Sequence, residues 1–247
     1  MELFGIGLIV PSSNTTMEPD FHRHLGAEAV ISTTRIFLEQ VTRDAELRMI
    51  QEDLPHALQI MKSVGPEVVV FGCTSAGSLG GIKHDAEIGD LIKTTTGATG
   101  VTVVASILEE LRRIAPRAVS VFTPYEEELT RSVAGCIAEG GYRVIQAEGM
   151  QLRKNRDIGS VPPAEIVSFV KSRIIGKNPD CVLLSCTNWR AMEAMEPLQA
   201  EFGLPFITSN QACVAQVLRI MKPSDISISE NRKAPEVRHR RKPEPRP

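Results

Sequence analysis

Residues 68–75 read VVVFGCTS, and residues 181–188, which lie 113 positions later, read CVLLSCTN. In both stretches an apolar run leads through one small residue into a Cys-Thr pair. A continuous apolar run of this length is typical of a parallel strand that is buried on both faces. Two such strands with the same ending indicate that the chain contains an internal repeat.

The flanking sequence repeats with the same offset, because Pro11 and Pro124 each follow an apolar run and are also 113 positions apart. In both halves strands alternate with helical patterns. The predicted strands are 4–10, 30–37, 68–71, 118–122, 142–147 and 181–184, and the main predicted helices are 44–64, 126–139 and 163–176. We therefore predict an α/β fold of two pseudo-symmetric lobes, with parallel sheets flanked by helices and an active-site cleft between the lobes.

The boundaries of the lobes follow from a further match between residues 99–106, TGVTVVAS, and residues 203–209, GLPFITS. We assign residues 1–98 and 210–222 to the first lobe and residues 99–209 to the second. Residues 231–247 contain seven Lys or Arg and two Glu, a local charge of +5, whereas the whole chain of 247 residues carries −2. This proline-rich end predicts a disordered basic tail over 223–247.

Composition excludes several classes of function. Aromatic residues make up 4% of the chain, which leaves few platforms for base stacking and argues against nucleic-acid binding. No apolar run approaches the roughly 18 residues that a membrane span needs, and the start has no signal-peptide pattern, so we expect a cytoplasmic protein without membrane contact. The five cysteines form no CxxC pair, and no GxGxxG or Walker sequence is present. We therefore expect no disulfide framework, no metal and no cofactor.

Cys73 and Cys186 are the candidate reactive groups, since the carboxyl ends of parallel strands are where open α/β sheets bind ligands. A cysteine at a helix N-terminus has its thiolate favoured, and its pKa falls from about 8.5 to roughly 3.5–7.5. The hydroxyls of Thr74, Ser75 and Thr187, with the free backbone amides, are predicted to bind a carboxylate. The remaining cysteines are interpreted as buried packing residues: Cys136, Cys181 and Cys213.

Three further residues have both a functional and a structural interpretation. Asn14 either faces the site or caps the following helix. Tyr125 lies in the turn equivalent to Asn14 and either donates its hydroxyl to a substrate oxygen or packs. Asn155 lies in the basic segment Arg153-Lys154-Asn155-Arg156, which is either part of the site or simply a solvated loop. No histidine lies at these turns, so a Cys-His dyad is unsupported.

Taken together, these turns resemble the aspartate/glutamate racemase superfamily, and within it the branch of maleate cis-trans isomerases and arylmalonate decarboxylases. The resemblance covers about residues 4–221. It rests on five motifs: Val10-Pro11-Ser12-Ser13-Asn14-Thr15 with Met17-Glu18-Pro19, Gly72-Cys73-Thr74-Ser75, Thr123-Pro124-Tyr125, Ser185-Cys186-Thr187-Asn188 and Ser209-Asn210-Gln211-Ala212. Decarboxylases of this branch resemble this chain but have Gly at the first cysteine position, so the presence of both cysteines favours the isomerases.

The resemblance implies a mechanism without a cofactor. Cys73 would add to the double bond of maleate or a close dicarboxylate, and Cys186 would supply and recover a proton. Asn14, Tyr125 and Asn155 match the carboxylate holders of the family, which also suggests a homo-oligomer. Trp189 stands where we expect Leu in maleate isomerases. A racemase in which two thiols exchange one proton, a decarboxylase, and a binding protein without chemistry remain alternatives.

Overall fold

The computed structural model describes residues 3–222, and the predicted tail at 223–247 lies outside the described residues. Within this range the chain forms two four-stranded sheets in which every pairing is parallel. The predicted α/β class with two repeated lobes is confirmed.

The first sheet has its strands in the order second, first, third, fourth. Its strands are β1 (Phe4–Pro11), β2 (Ala29–Ile36), β3 (Val68–Phe71) and β4 (Thr99–Thr102). The helices that connect or follow these strands are α1 (Met17–Leu25), α2 (Arg43–Arg48), α3 (Leu54–Val64), α4 (Thr74–Ser78), α5 (Gly81–Thr96) and α6 (Val103–Ile114). A 3-10 turn at Gly26–Glu28 links α1 to β2.

The second sheet repeats the order of the first, β6-β5-β7-β8. Its strands are β5 (Ala118–Thr123), β6 (Arg143–Gly149), β7 (Cys181–Leu184) and β8 (Phe206–Thr208). Its helices are α7 (Glu127–Glu139), α8 (Asn155–Ser160), α9 (Pro163–Ile174), α10 (Ala191–Phe202) and α11 (Ser209–Met221). Each strand of the second lobe thus occupies the place of the strand four earlier in the first.

Strand β4 departs from the predicted lobe boundary. The sequence prediction assigned residue 99 onward to the second lobe, but Val68–Phe71 pairs with Thr99–Thr102, which places β4 in the first sheet. The helices that follow the two last strands, α6 and α11, pack on each other. Arg219 on α11 also forms an ion pair of 2.6 Å with Glu110 on α6. The last helix of each sheet therefore joins the lobes.

The central strands β3 and β7 lie in the core, and their carboxyl ends lead directly into the turns that bear the two predicted cysteines. All residues of β3 and of β7 are buried, as a strand between two others with helices on both faces requires. Gly72, directly after β3, leaves room for α1: a Cβ there would lie 2.5 Å from the Met17 sulfur and 3.2 Å from the carbonyl oxygen of Ile9. Close packing of α1 thus fixes the loop that bears Cys73.

The helical stretch predicted over 44–64 is continuous but changes its winding. Between α2 and α3 the residues Met49–Asp53 form a π-helical turn, which inserts one extra residue per turn and shifts the helix face. The buried positions are therefore Glu46 and Met49 before Leu54, whereas the apolar residues Leu47 and Ile50 are only partly buried. This shift carries a glutamate into the interior.

Candidate active site

The two predicted cysteines lie at equivalent turns and are both buried, with 4% of Cys73 and 3% of Cys186 exposed. Cys73 is the residue before α4, and Cys186 is the second residue after β7. The turns are in contact, because the hydroxyl of Thr187, next to Cys186, donates to the carbonyl of Gly72, next to Cys73, at 2.9 Å, and a charge on Cys186 raises the pKa of Cys73. The fold therefore brings one thiol from each lobe to a shared interior site.

The surroundings of Cys73 include a carboxyl group. The Cys73 sulfur lies 3.8 Å from the Ser75 hydroxyl oxygen, and the backbone N–H of Ala76 also hydrogen-bonds to the sulfur. The Ser75 hydroxyl donates in turn to Oε1 of Glu46 through a short hydrogen bond. The Cys73 thiol, the Ser75 hydroxyl and the Glu46 carboxyl thus form one hydrogen-bonded chain.

Cys186 is surrounded by hydrogen-bond donors. The backbone N–H of Asn188 lies 3.3 Å from its sulfur. The backbone N–H of Trp189 and the hydroxyl of Tyr125 also hydrogen-bond to the sulfur. Three donors around one sulfur stabilise the thiolate that forms when Cys186 gives up its proton.

The prediction that helix N-termini lower the pKa values of both thiols is wrong. Burial raises the pKa of Cys73 well above its ordinary value, and the carboxyl of Glu46 raises it further. Burial likewise raises the pKa of Cys186 to about 11, against the three donors that lower it. Loss of water around a charged sulfur outweighs a few amide dipoles, and α4 has only five residues.

Glu46 is a site residue that the sequence analysis missed. It is fully buried, and burial raises the pKa of its carboxyl from 4.5 to about 8 against the opposing hydrogen bond from Ser75. Its Oε2 atom has no hydrogen-bond partner among the described residues. The sequence shows Glu46 only as a charged residue within an amphipathic helix. The π turn that places it on the buried face is not visible in the spacing of the apolar residues.

Glu46 should make the stability of the protein depend on pH. Because the folded state holds this proton more tightly than the unfolded state, its contribution is complete below about pH 4.5 and is lost as the pH rises through about 8. Between pH 5 and pH 8 we expect the Tm of the wild type to fall by at least about 3 °C relative to Glu46→Gln. Calorimetry of both proteins across this range measures the difference, and parallel curves would contradict it.

Asn14 caps the following helix, and its side chain also contacts the turn that bears Cys186. It is 1% exposed, and its Oδ1 accepts the backbone N–H groups of Thr16 and Met17, each at 3.0 Å, at the start of α1. Its Nδ2 donates to the hydroxyl of Thr187 at 3.1 Å, across the two lobes. The Thr187 hydroxyl donates onward to the carbonyl of Gly72 at 2.9 Å. Asn14 thus links both cysteine turns through the Thr187 hydroxyl.

Asn155 is buried and does not belong to a solvated loop. It is 4% exposed, and its Nδ2 donates to the Ser13 hydroxyl at 2.9 Å. Asn188 donates to the backbone carbonyl of Asn155 at 2.7 Å and accepts the backbone N–H of Thr15 at 2.9 Å. Asn188, which the sequence analysis named only as part of a motif, connects the Cys186 turn to both lobes.

The remaining predicted residues are buried in the same cluster. Thr74 shares its hydroxyl with Ser209 at 3.0 Å. Tyr125 is 2% exposed, and burial together with the two nearby thiols raises the pKa of its phenol well above the ordinary value. The hydroxyl is therefore a donor over the physiological pH range. Trp189 is fully buried and packs edge-on against Phe169, with ring centres 6.3 Å apart.

Two loops, one from each lobe, are joined by backbone hydrogen bonds. The backbone N–H of Val41 donates to the backbone carbonyl of Arg153 at 2.7 Å, and the backbone N–H of Asn155 donates to the backbone carbonyl of Glu39 at 3.0 Å. An isolated antiparallel bridge joins Gln40 and Lys154. The two cysteines are almost fully buried in this arrangement.

The residues at the site determine its chemistry. Within residues 3–222 no group of three or more His, Cys, Asp or Glu side chains is arranged to hold a metal ion. The same part of the chain contains no helix that is both long and apolar enough to cross a membrane. What the cleft offers is two thiols, one carboxyl and a ring of amide and hydroxyl donors.

This fold and site define a class of two-lobed α/β proteins in which each lobe presents a cysteine to one buried, donor-rich site. The chain belongs to the arylmalonate decarboxylase family, whose model matches residues 6–233. The predicted resemblance is thereby confirmed.

Individual relatives are consistent with this assignment. The maleate isomerase of Nocardia farcinica is 26% identical over 223 residues, which cover 87% of this chain and 88% of that protein. The arylmalonate decarboxylase of Bordetella bronchiseptica is 23% identical over 216 residues, covering 87% and 89%. A cysteine-to-serine mutant of the Nocardia farcinica maleate cis-trans isomerase, solved with a covalently bound succinylcysteine intermediate, superposes with a TM-score of 0.82 at 22% identity, covering 90% and 94%.

Proposed function

We propose that this protein catalyses the cofactor-independent cis-trans isomerisation of maleate, or of a close small dicarboxylate, through a covalent cysteine adduct. The observation that carries the proposal is the pair of thiols, one from each lobe, in one buried site. Relatives named maleate isomerase and the succinylcysteine in one of their structures support the same chemistry.

The reaction needs both thiols in different roles. Cys73 adds through its sulfur to one alkene carbon of maleate, and Cys186 protonates the other carbon. The former double bond is now single and rotates. Cys186 then recovers the proton, the C–S bond breaks, and fumarate leaves. No electrons are gained or lost overall, so the cycle consumes no cofactor.

The hydrogen bonds around the sulfurs support this division of roles. Asn188, Trp189 and Tyr125 all donate toward Cys186, so its thiolate is stabilised when the proton moves to carbon. Cys73 has fewer donors and faces Glu46, which makes its thiolate less stable and more nucleophilic. The assignment of Cys73 as nucleophile and Cys186 as acid is part of the proposal.

The substrate carboxylates would be held by neutral donors. Asn14, Tyr125 and Asn155 are the candidate anchors, together with the backbone amides and hydroxyls of Thr74, Ser75 and Thr187. Several of these hydroxyls already bind protein atoms, so the backbone amides of the turns are the more available donors for an anion. The cytoplasmic location and the homo-oligomeric state remain predictions.

The proposal is tested with purified protein and maleate in an NMR assay that follows the fumarate vinyl protons. Amino acids and arylmalonates are assayed in parallel. Fumarate formation without added cofactor is the expected result. Deuterium incorporation at the α-carbon of aspartate, without maleate turnover, would establish a racemase instead, and loss of carbon dioxide from an arylmalonate would establish a decarboxylase.

Replacing Tyr125 by phenylalanine should lower kcat by about 10- to 100-fold, because the variant keeps the buried ring but loses the donor that stabilises the Cys186 thiolate. Steady-state kinetics on maleate measure the effect. Tyr142→Phe removes the other tyrosine hydroxyl of the chain, at a partly exposed position, and should retain wild-type kcat. Equal kcat values in the two variants would exclude a role for the Tyr125 hydroxyl.

A further inference from the structure

Glu46 occupies a place in the site that the proposed reaction leaves unexplained. The carboxyl enters from α2, lies fully buried, and accepts the Ser75 hydroxyl proton through a short hydrogen bond. The same hydroxyl oxygen lies 3.8 Å from the Cys73 sulfur. Because Ser75 already donates to the carboxyl, its lone pairs face the thiol as acceptors. The three groups are ordered as a path for one proton.

The pseudo-symmetry of the fold does not repeat this carboxyl in the second lobe. Adding the offset of 113 places Gly159 opposite Glu46, and Asn188 opposite Ser75. A Cβ on Gly159 would lie 3.0 Å from the amide atoms of Asn188, so the equivalent contact exists in the second lobe without a titratable group. The carboxyl is therefore linked by hydrogen bonds to the Cys73 turn, whereas the groups that hydrogen-bond to Cys186 are neutral donors.

The titratable groups that face Glu46 come from three other elements. They are Cys73 at the start of α4, Tyr125 in the turn after β5 and Cys186 in the turn after β7, and the Glu46 charge raises the pKa of each. On its own helix, the guanidinium of Arg43 donates to the carbonyl of Leu79. The groups that respond to Glu46 are thus those of the reaction itself.

We propose that Glu46, acting through Ser75, accepts the thiol proton of Cys73 when the sulfur attacks and returns it when the adduct breaks down. This inference rests on the proposed function for the role of Cys73 as nucleophile. Glu46 does not touch the substrate in this scheme and acts as a positioning residue for the proton.

Each bond in the step is accounted for. The S–H bond of Cys73 breaks and its proton moves to the Ser75 oxygen, while the hydroxyl proton of Ser75 moves to the ionised Oε1 of Glu46. The electron pair left on sulfur forms the C–S bond, and the alkene electrons take the proton of Cys186. On elimination every transfer runs in reverse, so Glu46 is ionised again for the next cycle.

The pH range of this relay follows from the carboxyl. Glu46 titrates near pH 8, so the base form grows as the pH rises toward and beyond that value. A thiol without the relay would instead react in proportion to its own thiolate, which forms at higher pH. The two cases differ in the shape of a pH profile, which a purely structural carboxyl would not alter.

Alkylation of Cys73 by iodoacetamide tests the relay without any assumption about the substrate. The rate at Cys73 is measured by peptide mass spectrometry from pH 6 to pH 10 in the wild type, Glu46→Gln and Ser75→Ala. We expect the wild-type rate to level off with a midpoint near pH 8. In both variants this step should disappear, and the rate at pH 7.5 should fall at least about tenfold.

Glu52→Gln is the matched control, because Glu52 is an exposed carboxyl on the adjoining π turn, and it should keep the wild-type profile. Circular dichroism confirms folding, and Ser75→Ala tests the same path if Glu46→Gln fails to fold. A Glu46→Gln profile that coincides with the wild type, or faster alkylation in that variant below pH 8, would overturn the relay. The second result would mean that the carboxyl only repels the thiolate.

The alkylation result also separates the relay from the proposed function. If the midpoint near pH 8 disappears from the alkylation profiles of the variants but the wild type forms no fumarate from maleate, the relay is upheld and maleate is excluded as the substrate. Fumarate production with identical alkylation profiles would do the reverse. With maleate as substrate, kcat/KM of Glu46→Gln should lose the same midpoint near pH 8.

Discussion

Replacing Cys73 by alanine is expected to abolish conversion of maleate to fumarate, with a loss of kcat of at least about a thousandfold. The variant keeps the fold, because alanine fills most of the thiol's space in a turn held by hydrogen bonds of its neighbours. What it loses is the only atom that forms the C–S bond, and without that bond the alkene cannot rotate. An NMR time course at high enzyme concentration measures the residual rate.

The control for this experiment is a second buried cysteine. Cys213→Ala in α11 removes a thiol that is fully buried and whose pKa burial raises to about 12. It should cost stability but leave kcat within about twofold of the wild type. If Cys73→Ala retained a tenth or more of the activity, the covalent route through this residue would have to be abandoned.

The repeat made most of the fold predictable. The apolar runs at 68–71 and 181–184, with their identical Cys-Thr endings, fix two central parallel strands and the side of the sheet where their loops emerge. The lobe to which β4 belongs was not predictable in this way. Its pairing with β3 is seen only in the folded structure, and nothing in the residues TGVT indicates it. A short strand at a sheet edge has too few residues to show in which lobe it belongs.

The repeat predicted the two cysteine turns of the candidate site, but it did not predict the other residues around them. The roles predicted for Asn14, Tyr125 and Asn155 came from the resemblance to the family, and the structure buries these residues as it buries both cysteines. Glu46 depends instead on a π turn, which shifts the helix face by one residue and has no sequence signature. The direction of the thiol pKa shifts could not be predicted from the sequence, because burial and the helix dipole act in opposite senses and only the fold shows how deeply the thiols are buried.

Replacing Cys186 by serine is expected to trap the enzyme as its adduct. Serine keeps a hydroxyl in the same place, but the hydroxyl is far less acidic than a thiol and its oxygen is a poor base for recovering a carbon-bound proton. Attack by Cys73 still forms the C–S bond, with water supplying the proton, whereas elimination is blocked. We expect turnover to fall at least about a thousandfold while the covalent species accumulates.

Intact mass spectrometry after incubation with maleate measures this species as a gain equal to one maleic acid, and peptide mapping should place it on Cys73. The Cys73→Ala/Cys186→Ser double variant is the control and should gain no mass. The location of the adduct decides the division of roles: a modified Cys186 in the wild type, with an unmodified Cys73, would exchange nucleophile and acid. A Cys186→Ser variant that turned over maleate normally would instead show that one thiol suffices, and the pseudo-symmetric pair would then need another explanation.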